Sequence, residues 1–196
     1  MRYAPDHKQA TRERILEAAG RLFRREGFGG SGITAIMKEA GLTHGGFYAH
    51  FDDKEELLAA AIAWALSEEN SHRSVGLEHL GGLEYVIAVC DRYLSLEHLE
   101  AIENGCPAPA LMSELSRMGH KPREVFEEAC RGWRDEIESH LDPDQHAVAL
   151  GLVAACMGGL TLARSINDTQ LREQVLASTR TLIRQSLADS NDRSAS

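Results

Sequence analysis

Between positions 43 and 54 the chain carries Thr43, His44, Gly45, Gly46, Tyr48, His50 and Lys54. Hydroxyls, imidazoles and an ammonium gathered this closely suit the holding of phosphate oxygens and base edges. Phosphate contacts fix register and orientation, whereas base contacts choose sequence. His44 is the residue here with an obvious base-reading side chain. Thr43, Tyr48 and His50 offer hydrogen bonds to phosphate, and Lys54 offers a charge. The paired glycines are poor helix formers, and they make sense where a backbone must approach something closely. Tyr48 and His50 also have blander readings, as a core aromatic and a surface imidazole. Catalytic chemistry is not legible: nine histidines are dispersed, with no His-Glu-x-x-His and no Gly-x-Ser-x-Gly. The four cysteines, Cys90, Cys106, Cys130 and Cys156, form no Cys-x-x-Cys pair. Neither a metal site, another cofactor nor a disulfide framework is expected.

These side chains need elements to position them. Ile15, Leu16, Ala19, Leu22 and Phe23 recur at helical spacing, which predicts a first helix over 8–26 closed by Gly27. Ile33, Ile36, Met37 and Ala40 fall at i, i+3, i+4 and i+7, a short amphipathic helix. Gly41 follows where a left-handed C-terminal cap belongs. Leu42 plugs the turn, and Thr43 is a good N-cap for a short helix over 44–50. Phe47 and Phe51, four apart, anchor that helix to the core. Two short helices about a glycine turn make a helix-turn-helix, whose second helix enters the major groove. The charge agrees. Residues 1–51 hold eight basic and five acidic side chains, a net +3, against −9 for the whole chain, so −12 falls on the remainder. A basic head on an acidic body suits a local nucleic-acid contact. Lys38 and Arg25 are expected to contribute diffuse charge rather than to read bases.

The run Ile33 to Leu58, with Ala-Gly-Leu-Thr, then Gly, Phe-Tyr, His-Phe and Lys-Glu-x-Leu-Leu in order, resembles the signature of TetR-type transcriptional regulators. Arg12 to Phe23 extends it backwards. The resemblance implies an all-α fold of about nine helices, three in a DNA-binding head and six in a ligand-responsive, dimerising body. It places the division at 8–53 and 54–190. It implies DNA contacts at Thr34, Thr43, His44, Gly45, Gly46, Tyr48, His50 and Lys54, with His44 standing where the family often has Lys. It also implies a homodimer on a near-palindromic duplex operator and repression relieved by a small apolar or electrophilic effector. The polar, charged stretch 1–14 has no apolar secretory core, so a cytoplasmic protein with reduced thiols is expected. The rival readings are a helical protein-interaction module without specific DNA binding, and an enzyme.

Beyond 54 the pattern is helical throughout, with helices expected over 54–73, 82–99, 107–118, 122–141, 143–164 and 168–187 and a frayed tail from 189. Apolar residues at 43% and charged residues at 26% argue against wholesale disorder. The uncharged run 147–163 sits near the lower length limit for a membrane span, but its glycines favour a close-packed helix and no membrane partner. Gly151, Ala155 and Gly158 there, with Val175 and Leu182 on the last helix, are candidates for a two-fold interface; an intramolecular core is the alternative. Tyr85, Tyr93, Met112, Phe126, Cys130 and Trp133 are candidate effector contacts, or simply core. Gly105-Cys106 and the Thr-His-Gly-Gly-Phe-Tyr helix resemble a branch of the family that includes electrophile- and oxidant-sensing repressors. Pro107 suits a first helical position, setting Cys106 at or beside an N-cap where a thiol is acidified. The competing reading is a structural cysteine.

Overall fold

The computed structural model describes residues 5–67 and 73–194. Among the described residues there are nine α-helices, two short 3-10 helices and no strand. The elements are α1 (Pro5–Gly30), α2 (Ile33–Glu39), a first 3-10 helix (His44–Ala49), α3 (Lys54–Leu66), α4 (Gly82–Tyr93), α5 (Leu96–Glu100), α6 (Ala108–Leu115), α7 (His120–Glu138), a second 3-10 helix (Pro143–Gln145), α8 (His146–Arg164) and α9 (Thr169–Ser194). They pack as two compact units.

The first unit comprises α1, α2, the first 3-10 helix, α3, α6 and the start of α7. Its core takes the periodic apolar residues of α1 and α2, Phe47 and Phe51, then Leu57, Leu58 and Ile62 of α3 and Leu111 and Leu115 of α6. Each large side chain fully buried in this way contributes roughly 1.5–3 kcal/mol. The helical path of α1 breaks at Gly27, whose φ of 73° lies in the left-handed region. Gly41 closes α2 with φ 69°, as its position in the sequence predicts. At the start of α3, Asp53 accepts from the Glu56 backbone N–H at 2.7 Å, while the Glu56 carboxylate accepts from the Asp52 backbone N–H at 2.7 Å. The two ends of one turn are thereby satisfied together.

The second unit comprises α4, α5, the rest of α7, the second 3-10 helix, α8 and α9. The α8–α9 pair is its largest packed interface. It depends on Gly159, where a Cβ would lie 2.8 Å from Thr179 Oγ1. The single helix expected over 82–99 is two. Ser95 accepts from the His98 backbone N–H as an N-cap, and Arg180 donates to the Leu94 carbonyl at 2.5 Å, so the break is satisfied on both sides. Side-chain competition for backbone groups has overridden helical periodicity there. The 54–73 helix is regular only to Leu66, and 68–72 lie outside the described residues. The expected helix from 143 opens as a 3-10 turn held by an Asp142–Gln145 capping box. At the other end α9 continues to Ser194, through most of the segment expected to fray.

Candidate nucleic-acid interface

The short helix over 44–50 is a 3-10 helix, not an α-helix. Gly45 and Gly46 explain the difference, since propensity there is too weak to hold a full α-turn. Thr43 occupies the N-cap position with extended backbone, but its side chain makes no capping bond. Thr43, His44 and Gly45 are all exposed. Phe47 is fully buried, so the helix is pinned by one face. Tyr48 is 62% exposed, which overturns the core-aromatic reading. Its ring meets Phe47 and His44 edge-on, at 5.1 and 6.2 Å between centroids. Thr34, on α2, is exposed and its Oγ1 lies 3.1 Å from His44 Nδ1. A Cβ on Gly45 would meet nothing within 4 Å, whereas one on Gly46 would touch Met37 at 3.6 Å. Within the chain, then, nothing requires Gly45 to be small.

His50 is half-buried against Phe51, and its Nδ1 has no hydrogen-bond partner. Burial, with Lys8 and Arg12 nearby, holds its pKa below the usual histidine value. Arg12 lies over the Phe51 ring at 4.6 Å. Lys54 turns inward: its Nζ donates to the Phe28 carbonyl and sits 4.2 Å from the Phe28 ring centroid. Burial lowers its pKa. A phosphate contact by Lys54 therefore competes with a bond already made.

Several residues that shape this surface carry no sequence signal of their own. Arg14 NH2 donates to the Ala40 carbonyl at 2.6 Å, tying α1 to the turn before the 3-10 helix. Glu114 of α6 accepts from the Phe28 and Gly29 backbone N–H groups, at 2.9 and 3.3 Å. Arg24 Nε donates to the Glu103 carbonyl at 2.5 Å, and Arg25 pairs with Glu103 at 3.0 Å and with Glu26. Arg25 is thus engaged in ion pairs rather than standing as a diffuse surface charge. Bonds that join residues about 80 positions apart have no periodicity by which a sequence could reveal them.

The effector candidates fall in both units. Met112 and Phe126 line a groove of about 380 Å³ in the first unit, together with Leu115, Arg123 and Glu124. In the second unit Tyr93 and Trp133 are buried with ring centroids 4.9 Å apart. Trp133 is 2% exposed and its Nε1 has no hydrogen-bond partner. Arg73 lies 4.8 Å from the Trp133 ring and pairs with Glu136 at 2.5 Å. Glu136 also accepts from Tyr85 at 2.5 Å; burial first, then this carboxylate, push the Tyr85 pKa up to about 12. Cys130 is half-buried on α7. Cys106 is half-buried and directly precedes Pro107, the N-cap of α6. Cys90 and Cys156 are buried in contact; the Cys90 hydrogen bond, then burial, raise the Cys156 pKa. No group of three His, Cys, Asp or Glu side chains comes together as a metal site among the described residues.

Of the interface candidates, Gly151, Gly158 and Leu182 are exposed, and Ala155 and Val175 are half-buried. A Cβ at Gly151 or Gly158 would meet nothing within 4 Å. The stretch Pro143–Arg164 is long and apolar enough to cross a membrane by length and composition, with 39% of its most apolar window buried inside the protein. The Cα atoms of Ala147, Leu150, Gly151, Ala154, Gly158 and Leu162 form one exposed helical stripe along α8.

A helix-turn-helix with an exposed polar edge, on an all-helical body, defines a DNA-binding transcriptional regulator. The family described as "Bacterial regulatory proteins, tetR family" matches residues 15–61. The chain is 32% identical over 134 residues to the HTH-type transcriptional regulator LmrA of Bacillus subtilis, covering 67% of this chain and 71% of that one. It is 44% identical over 62 residues to the HTH-type transcriptional regulator AcrR of Shigella flexneri, 32% of this chain and 28% of that one. Among solved structures it resembles a TetR transcriptional regulator from Chloroflexus aurantiacus, with TM-score 0.73, 28% identity and 90% and 96% of the two chains covered. The reduced form of Escherichia coli NemR shares the fold, with TM-score 0.68, 21% identity and coverage of 88% and 96%. The chain belongs to the TetR family of transcriptional regulators. Its relatives are regulators, not enzymes.

Proposed function

We propose that this chain is a homodimeric repressor that grips a near-palindromic operator and releases it on binding a small effector. Residues 8–53 form the DNA-reading part, and residues 54–190 the effector-responsive and dimerising part. The observation that carries the DNA reading is the outward edge of the 3-10 helix. Thr43, His44, Gly45 and Tyr48 are exposed there while Phe47 alone is locked in the core. The room around Gly45 supports close approach of that edge to a duplex. Thr43, Tyr48 and His50 hold phosphates, His44 reads a base, and Lys54 joins the phosphate set by exchanging its Phe28 contact. Gly46 lets the backbone come near, and Thr34 stands beside His44.

The small outward residues Gly151 and Gly158, with Ala155, Val175 and Leu182, support a two-fold contact through α8 and α9. Nothing inside the protomer requires Gly151 or Gly158 to lack a side chain. An apolar stripe covered by a second copy also accounts for α8 without a membrane. The test is binding of the full chain to duplexes selected from a random library, at two salt concentrations. Affinity is expected to fall steeply with salt, through release of counterions from neutralised phosphates. A monomer at micromolar concentration in sedimentation, or salt-independent binding, overturns the reading.

For the effector, the unsatisfied Trp133 Nε1 beside Tyr93 and the Arg73–Glu136–Tyr85 cluster supports a largely apolar ligand carrying one hydrogen-bond acceptor. Met112, Phe126 and Cys130 are the secondary candidates. A second reading assigns release to modification of Cys106. It rests on the position of that thiol between Glu103, which holds Arg24 and Arg25, and α6, whose Glu114 holds the end of α1. Treatment with N-ethylmaleimide separates the two. Loss of DNA binding in wild type but not in Cys106→Ser supports the thiol; equal behaviour supports the reversible ligand.

A further inference from the structure

Thr34 and His44 come from different elements, α2 and the first 3-10 helix, yet their side chains meet at 3.1 Å, Oγ1 to Nδ1. Both are exposed, so neither is needed there to fill the core. Threonine is stiff at χ1, which makes it a firm anchor for a neighbouring ring. Tyr48 stands edge-on at 6.2 Å from the same imidazole. With Nδ1 engaged by Thr34, Nε2 is the nitrogen left to meet a partner.

Which ring nitrogen carries the proton follows from the bond the other one makes. The Nε2–H tautomer is the more stable form of a neutral histidine side chain, and it leaves Nδ1 to accept from the Thr34 hydroxyl. In the imidazolium Nε2 also carries a proton. In both forms the free nitrogen is a donor, and a donor in the major groove reads acceptors. Purines present N7, and guanine adds O6 beside it. We propose that Thr34 and His44 act as a single base reader, in which the Thr34 hydroxyl orients the imidazole so that Nε2–H selects a purine N7, guanine before adenine. Thr34 is a positioning residue in this pair and His44 the contacting one. The inference rests on the DNA-reading function proposed above and adds to it the identity of the base and the residue that sets it.

The test uses the full chain and 30-base-pair duplexes selected from a random library by the wild-type protein. Binding of wild type, Thr34→Val, Thr34→Ser, His44→Ala and the Thr34→Val/His44→Ala double variant is measured against all four base pairs at each half-site position. The expected result is a guanine preference at one position, reduced about tenfold by His44→Ala. Thr34→Val reduces it at the same position, Thr34→Ser retains it, and the double variant is no worse than His44→Ala alone. Replacing the preferred guanine by 7-deazaguanine, which keeps base pairing and removes the N7 acceptor, weakens wild type and leaves Thr34→Val unaffected. Thermal melts check that each variant is folded. Selection of no recurring sequence by wild type sinks the DNA-reading function itself. Specific binding with additive effects at separate positions, with preference for a cytosine or thymine, or with indifference to 7-deazaguanine, overturns the paired reader alone.

Discussion

His50 illustrates how one side chain can report on both folding and binding. Its pKa is lowered in the folded protein by burial and by Lys8 and Arg12. The unfolded chain therefore takes up the proton first as pH falls. This contribution to stability is complete above the ordinary histidine pKa of about 6.5 and is lost as pH falls below it. A phosphate beside the ring acts in the opposite direction and raises the pKa in the complex. DNA binding should then take up a proton at His50, and affinity should rise between pH 8 and pH 6 at fixed salt. The measurement is fluorescence anisotropy across that range; His50→Gln is expected to flatten part of the slope. An identical slope in the variant removes His50 from the phosphate set. Two glycines make a sharper contrast at the same scale. Gly41 has φ 69° with Arg14 NH2 placed 3.0 Å from a would-be Cβ, so Gly41→Ala should cost about 1–2 kcal/mol in a denaturant melt. Gly45 has open space, so Gly45→Ala should leave the melt intact or slightly improved while DNA affinity drops. If affinity survives the added methyl, close approach at Gly45 is not what the glycine serves.

At the scale of elements, the end of α1 beyond its break at Gly27 is held from outside itself. Glu114 on α6 accepts from the backbone N–H groups of Phe28 and Gly29, and Lys54 at the start of α3 donates to the Phe28 carbonyl. Charge-assisted bonds of this kind matter because the backbone groups they satisfy have no helical partner. Glu114→Ala is expected to destabilise the protein by roughly 1–3 kcal/mol and to weaken DNA binding with it. Glu114→Gln, which keeps an acceptor, should recover part of both. Urea melts and anisotropy on the same preparations would show whether stability and binding move together. Binding that is untouched in a destabilised Glu114→Ala protein would mean that the end of α1 does not position the proposed reading surface.

For the whole molecule the informative pair is Gly158 and Gly159, adjacent on α8 and facing different surroundings. A Cβ on Gly159 would lie 2.8 Å from Thr179 Oγ1 and 3.2 Å from a Leu94 methyl, so Gly159→Ala overpacks the protomer and should cost about 1–3 kcal/mol. Gly158 is exposed with nothing near its missing Cβ. Gly158→Leu should leave the protomer folded and shift a dimer toward monomer in sedimentation velocity, with weaker DNA binding as the two half-site contacts are uncoupled. A stable dimer in Gly158→Leu would move the two-fold contact off this face of α8. The same stripe leaves much of this apolar helix uncovered within the chain.

Periodicity in the sequence was enough to determine the all-α class, the helix-turn-helix and most of the core, because a helix buries every third or fourth residue whatever it packs against. Gly27 and Gly41 marked their breaks correctly, since left-handed backbone is a property of the residue itself. Ser95 and Leu94 were not legible as a break, because the carbonyl at Leu94 is satisfied by Arg180, far along the chain. The core around Phe47 and Phe51 includes Leu111 and Leu115 of α6, although the recognisable motif ends at Leu58. Apolar surface does not record which partner will cover it. Type and spacing single out the proposed reading residues. Their arrangement was decided by tertiary structure: Lys54 turned onto Phe28, Arg25 drawn to Glu103, and Thr34 brought to His44. Residue type limits the chemistry a side chain can perform, but its orientation depends on neighbours that only folding brings together.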